Sequence, residues 1–106
     1  MDEIVCHIAI ADDWGMSRKF GEYEVATRGV PWEPGGYIRA CDPGDVAAVV
    51  ATVYADVRLP LLRIDCSVEG LARNGVEVTR VDGRPRIHGP IPMNADAVVG
   101  ERPLTA

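Results

Sequence analysis

Lysine is almost missing from this chain: of its 11 basic residues, ten are Arg and only Lys19 is a lysine. Acids outnumber bases, 16 to 11, which leaves a net charge of −5. That balance excludes nucleic acid and anionic membrane as non-specific partners. Cysteine is scarce and odd in number: Cys6, Cys41 and Cys66. No Cys-x-x-Cys or Cys/His spacing occurs, so neither a disulfide framework nor a zinc site is expected. Buried free thiols in a reducing cytoplasm are the default reading. No apolar run nears the ~20 residues of a membrane span. The opening MDEIVCHIAIADD begins with acids, and its apolar run is too short for a signal peptide. Repeats, low-complexity tracts and linkers are also missing, so 1–106 is expected to be one domain in the cytoplasm. The PGGY stretch, 34–37, lacks the lysine and the following helix of a phosphate loop. No cofactor and no metal are expected, and Asp12 and Asp13 read as helix-capping residues rather than a metal pair.

What remains is an ordinary globular composition, 47% hydrophobic and 25% charged, with its positive charge carried by arginine. Arginine is the better side chain for planar, two-pronged contacts with anions. IVCHIAI (4–10) reads as a first strand. Ile4, Cys6, Ile8 and Ile10 share one side, and Val5, His7 and Ala9 the other, so His7 is the segment's only polar side chain. A short helix over WGMSRKF, ended by Gly21, is expected next, then a long, partly irregular excursion through GEYEVATRGVPWEPGG, in which Trp32 is a candidate lid. GYIRAC (36–41) reads as a second strand with Tyr37, Arg39 and Cys41 on one face. Cys41 reads mainly as a small hydrophobe, although a cation and a helix start beside it are features that would activate a thiol.

DPGDVAAVVATVYADV is the clearest helix. Asp42 is the expected cap, Pro43 fits the first turn, and Val46, Val49, Val50 and Val53 form the apolar stripe. LPLLRIDCS (59–67) is a strand, VEGLARNG a brief helical turn, and VEVTRVDG with RPRIHG a hairpin about Asp82-Gly83. A last strand is expected near Ala97–Leu104. The sum is an α+β fold: a small, curved, mostly antiparallel sheet with two short helices. In RPRIHG, Arg86 and His88 lie two residues apart and therefore on one side of a strand.

The order of the pieces carries a resemblance. His7 in a first strand, then DDW, GEY, GYI with CDP, LLRID, IHGPIP and VVGERPL together resemble the domain-of-unknown-function family number 952, over nearly the whole chain. The resemblance implies an ADP-ribosyltransferase-like fold, similar also to the RNA 2′-phosphotransferases, with a cleft between two curved sheets. It implies that His7 lies where such relatives grip a nucleotide ribose. The chain departs from the family pattern at Arg39 and Arg86, where histidine is usual, at His88, where tyrosine is usual, and at Arg63, where glutamate is frequent. These changes put permanently cationic groups where titratable ones stood, which suits holding an anion better than NAD chemistry.

Three readings follow. The first is a small tailoring-type enzyme whose cleft binds the anionic group of a small metabolite or short peptide. His7 and His88 would handle protons, and Arg39, Arg86, Tyr23 and Glu22 would bind substrate. Lysine addition to dehydroalanine, the lysinoalanine bridge of cinnamycin-type lanthipeptides, is one example of fitting chemistry. The second is an NAD, ADP-ribose or nucleotide-phosphate site. The third is a non-catalytic module, for which exposed strand edges suggest a homodimer.

Overall fold

In the computed structural model, residues 3–27, 30–31 and 36–104 are described. Trp32 lies outside them. Among the described residues, ten strands and three short α-helices follow one another in an α+β arrangement. β1 (Ile4–Ile10) pairs antiparallel with β6 (Leu61–Ser67), which pairs on its other side with β10 (Val98–Leu104). A second antiparallel sheet has the order β5 (Ile38–Arg39), β8 (Arg84–His88), β7 (Glu77–Val81). The two meet where Cys6 and Cys41 exchange both backbone hydrogen bonds, at 2.7 and 2.8 Å. The excursion expected to be partly irregular contains β2 (Glu22–Tyr23), β3 (Val25–Thr27) and β4 (Val30–Pro31). β3 pairs with β4, and β2 pairs with β9 (Ile91–Pro92).

β1 explains why the core has two parts. Val5 and Ala9 pack with Ile64, Ile38 and Ile87 on one side. Cys6 and Ile8 pack with Val46, Tyr54 and Leu61 on the other. A strand covered on both faces cannot show the half-polar alternation of a surface strand, which fits its apolar run. Among the described residues no helix is long and apolar enough to cross a membrane.

The hairpin at Asp82-Gly83 forms as expected. Both residues take positive φ, 53° and 78°, which is the backbone twist that a two-residue turn between strands requires. The helices differ from expectation at their starts. α1 runs Ala11–Ser17 and leaves β1 directly, with Ile10 at the cap position and Asp12 and Asp13 inside the first turn. There they face the positive end of the helix without capping it. A 3-10 turn, Arg18–Phe20, follows and closes at left-handed Gly21. α2 is Val46–Thr52, preceded by a 3-10 turn at Pro43–Asp45. Asp42 does not cap it, because Arg80 takes its carboxylate at 2.8 Å. The valine stripe does pack on the core as the spacing requires. The expected helical turn at 68–75 is a six-residue helix, α3 (Val68–Arg73), capped by the Ser67 hydroxyl, which accepts from Gly70 N–H at 2.9 Å.

Candidate functional site

The site is built on the β5–β8–β7 sheet. Ile38 and Ile87 are partners in register, fully buried beneath it. Side chains one residue further along must then point the other way. Arg39 lies opposite Arg86, which lies opposite Thr79, so the three form a row on the outer face. Arg84 opposite Val81 and His88 opposite Glu77 make the flanking rows. α2 faces this surface across a groove of about 570 Å³, lined by Tyr37, Arg39, Arg84 and Arg86 from the sheet side and Asp45, Val49 and Val53 from the helix side. That volume is in the range of small-ligand sites.

The electrostatics are unbalanced. Arg39, Arg84 and Arg86 have no carboxylate partner among the described residues. Like charges directly opposite on neighbouring strands are destabilising. Part of the repulsion is offset at Arg86, whose guanidinium carbon sits 4.1 Å from the centre of the Tyr37 ring. This contact also holds the guanidinium in place. His88, on the same face of β8 but not among the groove's lining residues, is exposed, with Nε2 2.6 Å from the Thr79 hydroxyl and its ring 6.4 Å from that of Tyr37.

His7 lies beneath this face rather than on it, and is 1% exposed. Its Nδ1 is 2.7 Å from the backbone carbonyl of Arg39, which can only accept, so Nδ1 carries the hydrogen. Nε2 must then accept, and the Tyr23 hydroxyl donates to it at 3.0 Å. Burial pulls the His7 pKa down to about 4, against the Arg39 carbonyl, which favours the charged form. Burial likewise pushes the Tyr23 hydroxyl up, with Tyr54 and Asp13 adding to it. The pair is thus a neutral, internally satisfied unit, packed against Trp14, whose ring lies 4.9 Å from that of Tyr23 at a tilt of 51°. It anchors the backbone of β5 from below while Arg39 projects above.

The structure therefore gathers Arg39 and Arg86, with His88 on the same sheet face, and separates them from three other expected members, buried His7 among them. Tyr23 is buried in the core, because β2 is drawn in by pairing with β9. Glu22 is exposed on β2 opposite Pro92 and does not line the groove. Arg84 is a member that the sequence reading misses, although the alternation that joins Arg86 to His88 also includes it. Asp45 and Asp82, which line the groove, give no signal in the sequence apart from helix-start and turn roles. Cys41 lines the groove too, but its thiol is pushed up to about 11 by burial and by Asp45 and Asp42. It is a protonated, inert thiol, as the hydrophobe reading expects. Among the described residues no group of three or more His, Cys, Asp or Glu could hold a metal ion.

Arg63 is not in the groove. It donates to buried Asp65 at 2.8 Å, beside the Cys6 thiol at 3.1 Å and Arg102 at 3.2 Å. Burial opposes charge on Asp65, but these hydrogen bonds outweigh it and hold the carboxyl below its usual range. Gly100 makes room for it, since a Cβ there would stand 3.0 Å from Asp65 Oδ2. Asp65→Ala leaves two guanidiniums and a buried thiol facing a void. Urea unfolding should show a loss of about 2 kcal/mol, less than the roughly 3–5 kcal/mol of a fully buried pair because Arg102 is largely exposed. A midpoint equal to wild type would mean that water replaces the carboxylate at no cost.

Comparison with models of known families, with curated proteins and with solved structures finds no match for this chain.

Proposed function

We propose that this chain is a small tailoring-type enzyme that holds the anionic group of a small metabolite or short peptide between Arg39 and Arg86. The observation that supports it is the facing pair of guanidiniums, neither with a carboxylate partner among the described residues, in a groove of ligand size. An anion placed between them turns a repulsive pair into charge-assisted hydrogen bonds. Three free cysteines suit a reducing compartment, and we place the protein in the cytoplasm. Two three-stranded antiparallel sheets meeting at Cys6 and Cys41 suit an ADP-ribosyltransferase-like fold.

In this reading His88 is the proton carrier, since it is the histidine on the groove's face and His7 is engaged at both nitrogens. Lysine addition to dehydroalanine illustrates the chemistry. The amine nitrogen bonds to the alkene β-carbon, and the π electrons move onto the amide oxygen, where a guanidinium stabilises the enolate. His88 takes the proton from nitrogen and returns it to the α-carbon. A second reading, NAD or ADP-ribose binding, draws on the same two guanidiniums, whose side-by-side placement suits a pyrophosphate.

Isothermal titration with succinate, pyrophosphate and ADP-ribose tests the site. At least one anion should bind, and Arg39→Ala and Arg86→Ala should each weaken it about tenfold, the worth of one charge-assisted hydrogen bond. Undiminished affinity in the double variant would remove the groove from the function.

A further inference from the structure

The groove holds negative charge as well as positive. Asp45 stands at the start of α2 and Asp82 in the β7–β8 turn, and both line the same space as the three arginines. Neither has an ion pair among the described residues. Asp45 occupies the cap position of α2, yet its carboxylate makes no capping hydrogen bond, so helix formation does not consume it. Two carboxylates in a groove of this size penalise a ligand that is only an anion, and more so a dianion. A ligand with both signs satisfies the two walls together. Val49 and Val53 lie on the helix wall with Asp45 and offer an apolar surface to the ligand's body.

We propose that the ligand of this groove is a peptide segment that carries both a carboxylate and an amine. The carboxylate sits between Arg39 and Arg86, and the amine reaches Asp45. This rests on the anion-binding reading above and narrows it, because a phosphate ester meets the same arginines but gains nothing from the acids. The amine is either an α-amine at a peptide N-terminus or a lysine side chain.

Three peptides separate these cases: Lys-Val-Glu amide, acetyl-Lys-Val-Glu amide, and acetyl-norleucine-Val-Glu amide, which has no amine. Titrated against the full chain, one or both amine-bearing peptides should bind about tenfold more tightly than the norleucine peptide. Preference for the first over the second marks the α-amine, and equal binding marks the lysine. Asp45→Asn, an exposed change that keeps a good helix-start residue, should erase the advantage by weakening the amine-bearing peptides, while the norleucine peptide, relieved of part of the repulsion, binds no more weakly than to wild type. Equal affinity of all three in wild type, with binding still lost in Arg39→Ala, overturns the amine site and leaves the anion site standing. Tighter binding of pyrophosphate than of every peptide overturns the amine site in the same way. If neither pyrophosphate nor any peptide binds to wild type, both readings fall together.

Discussion

Gly70→Ala is expected to cost about 3–5 kcal/mol, enough to unfold a large part of the population of a domain this small. A Cβ on Gly70 would lie 1.7 Å from the backbone oxygen of Asp96 and 2.6 Å from its carbonyl carbon. Neither atom can yield easily. The neighbouring carbonyl of Ala97 accepts the Ser67 N–H at 2.9 Å, and Asn94 Oδ1 accepts from the N–H groups of Asp96 and Ala97. From the helix side, Arg73 grips the Asp96 carboxylate and Asn74 donates to both Gly70 O and Asp96. The turn before β10 is therefore fastened to α3 at several points, and an added methyl forces the two apart. Guanidinium unfolding should show a lower midpoint with an unchanged slope. A midpoint within experimental error of wild type would show that the turn can move freely, and the fastening would be illusory.

The same contact separates what a sequence can disclose from what it cannot. VEGLARNG is preceded by a helix-start residue, Ser67, and ends in a stop at Asn74-Gly75, and both signals are local, so they are legible. The need for glycine at position 70 comes from a segment 26 residues away, and no local pattern marks it. Asp42 illustrates the same limit. Its place before Pro43 is a sound capping signal, but Arg80, 38 residues distant, takes the carboxylate. In RPRIH the period of two correctly puts Arg86 and His88 on one face, and the register adds Arg39 and Thr79 to it.

Depth is harder to read than side. His7 is visible as the one polar residue of an apolar strand, but alternation tells which way a side chain points, not what covers it. β5 and β8 lie over that side of β1, so the direction that suggests a cleft is core. Tyr23 follows for the same non-local reason, since its depth depends on Ile91 becoming its partner. The candidate site thus divides into an outer face that carries the guanidiniums and an inner half that supports it. The join between them is one backbone carbonyl, at Arg39.

That inner half should control acid stability. The folded pKa of His7, about 4, lies below the ordinary 6.5, so the unfolded chain binds more protons between those values. The stabilisation is complete above pH 6.5, falls as pH drops toward 4, and is level below that as far as His7 is concerned. Its size follows from the shift, about 3 kcal/mol. The carboxyls of Asp42, Asp65 and Asp96 are all held below their usual range, so their contributions are lost only as pH falls below about 5, at the acid end of this window, and equally in wild type and variant. His7→Gln separates the cause, because an amide can donate to the Arg39 carbonyl and accept from Tyr23 without titrating. Unfolding free energies measured from pH 7.5 to 4 should fall steeply for wild type and far less for the variant, while exposed His88 is present in both. Parallel curves would mean that His7 is hydrated or freely charged in the fold. The buried bond that ties Tyr23 to the strand bearing Arg39 would then not exist as described.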